Sequence, residues 1–210
     1  MRFYLSSYRL CSSPLKFTSM FSKRKRVAII MNALDFSDDA EWIKGRQLRE
    51  TEDLRAIGLE SELLDLRSFF GKTAELEHEL SRFDGFWVVG GNAFVLRKAM
   101  EHSGFDRLLL SKLNSKYLVY GGYSAGVCVL CPTLDGIHLV DRPDVIPSGY
   151  HGEPIWEGLG ILKYCVAPHY ASEHHESHLI DEAIQYFIDN KRLFIALKDG
   201  ESLSCEILAL

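Results

Sequence analysis

Long apolar runs, paired cysteines and proline are all scarce in this chain. No window approaches the roughly 18 consecutive apolar residues of a spanning helix, so no membrane partner is expected. The five cysteines (Cys11, Cys128, Cys131, Cys165, Cys205) are odd in number and mostly set in apolar runs. That argues against a disulfide framework and for free thiols in a reducing compartment, which reads as cytoplasmic. Cys128 and Cys131 form a C-x-x-C, read as small packing residues rather than a redox or metal pair. Six prolines and 47% hydrophobic residues exclude a disordered, collagen-like or low-complexity protein. Positive charge is not in excess: the net charge of −5 gives no reason to expect a nucleic-acid partner.

Acid is absent from one place. Residues 1–26 hold seven basic residues (Arg2, Arg9, Lys16, Lys23, Arg24, Lys25, Arg26), several serines and no Asp or Glu. With those seven taken from 24, 17 basic residues face 29 acidic ones in the remaining chain. The composition is that of an organellar transit peptide, a disordered tail, or a stretch ahead of a true start at Met20. The expectation is a basic leader over 1–26 that takes no part in the fold, and one α/β domain over 27–210. At this length a single core needs no disulfide or metal staple.

Within that domain, short apolar β-branched runs alternate with amphipathic stretches. Strands are predicted at 27–31, 60–66, 85–90, 117–121 and 161–167. Helices are predicted at 38–57, 74–81, 93–102, 105–113, 125–130 and 173–190, with a long irregular excursion over 133–158. Residues 193–197 and 202–208 around Asp199-Gly200 read as an antiparallel hairpin. The fold class is therefore α/β: a mostly parallel, flavodoxin-like sheet with helices on both faces and a C-terminal antiparallel hairpin. Ligands of such sheets sit at the carboxyl ends of the strands.

Gly122-Tyr123-Ser124-Ala125-Gly126 lies at that edge and matches G-x-S-x-G between a strand and a helix. A serine on so tight a turn needs small neighbours, and the helix after it aims free N–H groups and a favourable dipole at the site. Ser124 is the candidate nucleophile and the Ala125 N–H a candidate oxyanion donor. Gly90-Gly91-Asn92 ends the neighbouring strand, which makes the Gly91 N–H the second candidate donor and Asn92 a substrate contact or a helix cap. A serine nucleophile needs a base, and His169, ending the strand before it, is the best placed of eight histidines. Tyr123, Tyr170, Ser172, His174 and His175 flank these positions as candidate substrate contacts. His174 and His178, four apart, would share a helix face but match no zinc pattern, so no metal and no cofactor is expected. Spacing leaves the orienting carboxylate open among Asp135, Asp141, Asp199 and Glu201.

Together these residues resemble the aspartyl dipeptidase (peptidase E) and cyanophycinase family of serine peptidases, whose sheet is like that of the class I glutamine amidotransferases. The landmarks are Val88-Val-Gly-Gly-Asn-Ala-Phe94, Gly122-Tyr-Ser-Ala-Gly126 with Cys131-Pro-Thr133, Ala167-Pro-His-Tyr170 and Ile195-Ala-Leu-Lys-Asp-Gly200. The resemblance implies Ser124 as nucleophile, His169 as base, Asp199 as its acidic partner, with Asp135 and Asp141 in reserve, and Gly91 and Ala125 as oxyanion donors. Two departures stand out. Members that cleave after an N-terminal aspartate carry an arginine after the histidine, whereas residues 171–181 contain no Arg or Lys. Members also continue past the last landmark with more strand, which leaves a shortened sheet edge or a truncated frame. The expected function is hydrolysis of short peptides or related amides through an acyl-enzyme, by a monomer or homodimer, without fixed aspartyl specificity. The alternatives are a catalytically silent binding or regulatory member of the fold, and a small α/β-hydrolase esterase using Ser124, Asp141 and His169.

Overall fold

In the computed structural model, which describes residues 1–22 and 25–207, the chain enters its sheet at once. The elements are β1 (Arg2–Ser6), α1 (Leu15–Thr18), β2 (Arg26–Ile30), α2 (Ala40–Ala56), β3 (Glu60–Leu63), α3 (Thr73–Leu80), β4 (Gly85–Val88), α4 (Ala93–Ser103), α5 (Phe105–Ser111), β5 (Val119–Tyr123), α6 (Ala125–Cys128), β6 (Cys165–Ala167), α7 (Ser177–Asp189), β7 (Phe194–Ala196) and β8 (Ser202–Glu206). Among the described residues a six-stranded sheet has the order β3-β2-β4-β5-β1-β8. All its pairings are parallel except the antiparallel β1–β8 edge.

The alternation of side chains along each strand sorts the core into two layers. Phe3, Leu5, Ala28, Ile30, Phe86, Val88 and Tyr120 face the layer that also holds buried residues of α3, α4, α5 and α7. Tyr4, Val27, Ile29, Trp87 and Val119 face the other, with Phe17 of α1 and Leu54 of α2. The sheet is thus covered on both faces, as β-branched and aromatic strands without a polar side require.

Two expectations change. Residues 1–26 do not stand outside the fold: β1 is an inner strand, in register from Arg2 opposite Val119 to Ser6 opposite Tyr123, and Phe3, Tyr4 and Leu5 are fully buried. Composition misled because the apolar run Phe3-Tyr4-Leu5 is only three residues long and is diluted by the serines and bases after it. Phe17 packs so closely on the sheet that a Cβ at Gly121 would lie 2.5 Å from its ring. Lys23 and Arg24 of the basic cluster, and Leu208 at the end of the expected hairpin, lie outside the described residues.

The hairpin is the second change. β7 pairs in parallel with β6 in a separate two-stranded sheet, and β8 crosses to pair with β1. The Asp199-Gly200 turn is real, with Gly200 at φ 92°, but it passes the chain from one sheet to the other. Strand β6 is shorter than the run over 161–167, and α7 begins at Ser177 rather than at residue 173. No helix among the described residues is long and apolar enough to cross a membrane.

Phe3 reports on the inner position of β1. Phe3→Ala is expected to lower the unfolding free energy by about 3–5 kcal/mol in urea titration. A change within about 0.5 kcal/mol, usual for a surface site, would place the segment outside the core after all.

Candidate active site

Strand β5 runs straight into Ser124, whose backbone sits at φ 50° and ψ −117° before α6 begins. Such a conformation costs a non-glycine residue of order 1–3 kcal/mol and persists only where its surroundings enforce it. The enforcement is close packing of the turn against β4. A Cβ at Gly126 would lie 2.3 Å from the Val88 carbonyl oxygen, and one at Gly90 would lie 2.9 Å from Ser124 Cβ. The Tyr120 hydroxyl donates to the Gly126 carbonyl at 2.6 Å and fixes the start of the helix. On the other face, Glu50 of α2 accepts from the Tyr123 hydroxyl and from Trp87 Nε1, both at 2.9 Å. Tyr123 therefore supports the turn from behind, with its hydroxyl aimed at Glu50.

His169 follows β6 and Pro168 in a left-handed conformation, φ 61°, and is almost fully buried. Its Nδ1 lies 2.8 Å from Asp199 Oδ1. A carboxylate only accepts, so Nδ1 carries the proton and Nε2 keeps a lone pair. Burial pushes the imidazole below its ordinary range, and the Asp199 charge opposes that shift. Ser7, just past β1, completes the arrangement: its Oγ accepts from the His169 backbone N–H at 2.8 Å and donates to Asp199 Oδ1 at 2.8 Å. The Asp199 N–H in turn donates to Ser172 Oγ at 2.8 Å, so Ser172 holds the aspartate's backbone.

The other carboxylates are engaged elsewhere. Asp135 pairs with Arg192, and Glu201 accepts from the Lys198 N–H within its own turn. Asp141 accepts from the Ala93 N–H at the start of α4. Burial raises Asp141 to about 7, the Ala93 hydrogen bond opposes this, and the nearby charge of Glu176 adds to it. The order Ser124, Asp141, His169 of the esterase alternative therefore has no hydrogen bond from Asp141 to the imidazole.

Ser124 and His169 line one cavity of about 140 Å³ together with Gly90, Gly91, Tyr123, His174, His175 and Glu176. The N–H groups of Gly91 and Ala125 donate to no other backbone group among the described residues. Gly91 has φ 147°, and a Cβ there would lie 2.4 Å from the Ala33 carbonyl oxygen, so only glycine fits. Asn92 lies outside this cavity. Its Oδ1 caps α4 at the Phe94 and Val95 N–H groups, and its Nδ2 donates to the Arg142 carbonyl at 2.9 Å. Tyr170 does not line this cavity either and is 37% exposed. His174 does not share a helix face with His178, because it lies in the turn ahead of α7; its ring stacks on His169 with centroids 3.7 Å apart. Ser124 Oγ makes no hydrogen bond to His169 among the described residues.

The cavity wall includes residues that the sequence did not single out. Tyr8 packs edge-on against both His169 and His174. Trp42 and Arg46 reach in from α2, with the guanidinium 5.3 Å from the Trp42 ring centroid. Trp42 is 39% exposed and lines the cavity. Nothing local to α2 marks Arg46, because its role depends on which loops the fold brings opposite.

Comparison with known proteins decides the family. The profile of peptidase family S51 matches residues 12–206. The chain belongs to peptidase family S51. This is a family of serine-type peptidases, and the relatives agree with it. An uncharacterized peptidase of Listeria innocua is 30% identical over 101 residues, 47% of this chain and 46% of that protein. An uncharacterized peptidase of Listeria monocytogenes is 29% identical over 119 residues, 56% of this chain and 54% of its own length. The chain thus spans about half the length of the curated relatives it matches. In fold, it resembles a crystal structure assigned to peptidase E of Listeria monocytogenes, with TM-score 0.72 and 18% identity, covering 99% of this chain and 98% of that one. A peptidase from an acI-B1 Actinobacterium gives TM-score 0.66 at 16% identity, covering 98% and 83%.

Ser7 ties this S51 chain's first strand to the buried His169 and Asp199. Ser7→Ala leaves the His169 N–H without its partner, and an unsatisfied buried donor costs about 1–3 kcal/mol. A fall of that size in unfolding free energy, measured by denaturant titration, is expected. An unchanged midpoint would contradict it.

Proposed function

We propose that this S51 protein cleaves short peptides or related amides through an acyl-enzyme. The observation that carries this reading is the meeting of Ser124, on its left-handed strand-to-helix turn, with the Asp199-oriented His169 in one cavity. Ser124 Oγ attacks the substrate carbonyl carbon as His169 Nε2 takes its proton. The oxyanion is received by the Gly91 and Ala125 N–H groups. Collapse breaks the C–N bond, and His169 returns the proton to the leaving amine. Water, deprotonated by His169, then attacks the acyl carbon; the C–Oγ bond breaks and His169 returns the proton to Ser124 Oγ. Asp199 keeps Nδ1 protonated throughout. The small cavity suits short substrates.

Arg46 shapes the choice of substrate. Its Nε is buried with no hydrogen-bond partner, and among the described residues it has no ion pair. A substrate carboxylate would pair with the guanidinium where it lines the cavity, in the bidentate geometry that guanidinium favours. Acidic selectivity would then come from α2 rather than from the arginine-free segment after His169. Arg46→Met is expected to lower kcat/KM about 10–100-fold for a dipeptide with an acidic side chain and to spare its neutral isostere. Equal losses on both substrates would remove Arg46 from specificity.

The missing hydrogen bond between Ser124 and His169 supports a second reading, a binding or regulatory protein that performs no chemistry. Catalytic hydrogen bonds of substrate-free enzymes often form only when substrate binds, which is why the first reading is preferred. A fluorophosphonate probe separates the two. The wild type is expected to be labelled on Ser124, and Ser124→Ala to stay unlabelled. No labelling of the wild type, or equal labelling of both, would sink the peptidase reading.

The depressed His169 makes a pH prediction. Its neutral form is the base, and burial lets that form persist to lower pH than in a free imidazole. The acidic limb of kcat/KM should therefore fall below about pH 6.5, the ordinary histidine value. A midpoint above that value would contradict the assignment of His169.

A further inference from the structure

We propose that the cavity around Ser124 is also a reversible binding site for a borderline divalent cation such as zinc, held by His169 Nε2, His174 and Glu176. Ligand atoms of these three side chains lie within 4.8 Å of one another. They are the pairing of one buried histidine with two half-buried side chains from the turn ahead of α7. Zinc holds nitrogen and oxygen ligands at about 2.0–2.2 Å in a tetrahedron, whose edges are then about 3.4 Å. Closing the set to that geometry draws the three side chains together and turns the His174 ring out of its stack on His169.

His169 is already prepared as a ligand. His169 donates Nδ1–H to Asp199 at 2.8 Å, the carboxylate–imidazole arrangement that orients metal-bound histidines and raises their basicity. Its Nε2 lone pair makes no hydrogen bond among the described residues. His174 is stacked on it with rings 10° apart, and because the lone pairs of parallel rings do not converge on one point, the His174 ring turns out of the stack when the ion binds. His174 Nδ1 accepts only a long bond, 3.3 Å, from the Glu176 N–H, and lies 3.7 Å from Glu176 Oε2. One ion between that nitrogen and that carboxylate replaces a weak contact with two short ones. His175 Nε2, 3.5 Å from Glu176 Oε1, is the neighbour that competes for the carboxylate. The fourth position opens into the cavity toward Ser124, where water would complete the shell.

The consequence is inhibition. The ion and the Ser124 proton need the same Nε2 lone pair, so a zinc-loaded protein has no general base. This consequence rests on the peptidase reading; binding of the ion does not.

The test begins with Ser124→Ala protein stripped with EDTA and titrated with Co(II). One equivalent is expected to bring up the visible d–d absorption of four-coordinate cobalt with two nitrogen ligands, and zinc should displace it. In the same background, Glu176→Gln and His174→Ala should each weaken binding at least tenfold, and Asp199→Asn by about 10–100-fold. His178→Ala, on the exposed face of α7, should bind as the parent does. Circular dichroism of each variant separates loss of a ligand from loss of the fold, and the conservative Glu176→Gln remains decisive if His174→Ala fails to fold. Absence of the band, or unchanged affinity in folded Glu176→Gln, overturns the site. With the wild type, zinc should abolish peptide cleavage at the midpoint measured for binding, and EDTA should restore it. Activation by zinc would overturn the inhibitory role. Absence of any cleavage without metal would overturn the peptidase reading and leave the binding result standing.

Discussion

The Ser7 hydroxyl accepts from the His169 backbone and donates to Asp199, and so joins the first strand of the chain to its last turn. His169 and its carboxylate are held in place by that junction. β1 brings Ser7 to the carboxyl edge only because it lies between β5 and β8, beside the strand that carries Ser124. The Asp199 turn reaches the same place because the chain passes there from the small β6–β7 sheet to the antiparallel edge. Parallel pairing fixes the level of the strand ends, so Ser6 stands opposite Tyr123, one residue from the Ser124 turn. A slip of one residue would invert both core layers, so the register of the site is held by the whole core.

Strain is concentrated where that register ends. Ser124, His169 and Ala171 all have positive φ without being glycine. Two of these departures are held by neighbours: the β4 backbone and Tyr120 at Ser124, the Ser7 hydroxyl at His169. Glu50 adds a polar anchor beneath the sheet, tying α2 to Trp87 and Tyr123 and thereby to the turn. The same helix carries Trp42 and Arg46 to the cavity, so α2 both braces the turn and supplies part of the wall.

Much of this was legible in the sequence. The α/β class, the helices α4 and α5, the Gly90-Gly91 and Gly122–Gly126 turns and the closeness of His169 to Ser124 follow from apolar runs ending in small residues, which is a local signal. The junction itself was not legible. β1 was hidden because a three-residue apolar run among serines and arginines has no periodicity to separate it from a leader, and with it went Ser7 and Tyr8. The antiparallel partner of β8 was misassigned because an Asp-Gly turn signals a reversal of the chain without saying which strand receives it. His174 was placed on a helix because the spacing of polar residues over 173–178 is helical, whereas the chain continues in turns until Ser177. Asp199 could not be separated from Asp135, Asp141 and Glu201 by spacing, since the choice rests on which carboxylate the tertiary fold brings to Nδ1.

In the proposed reaction Ser124 carries the acyl group and His169, held by Asp199, moves the proton. Acid-quenched mass spectrometry of the protein during turnover of an activated ester or peptide tests it most directly. One acyl group per chain is expected on the peptide containing Ser124, and none with His169→Ala. Turnover with no adduct on that peptide, or turnover that survives Ser124→Ala unchanged, would contradict it.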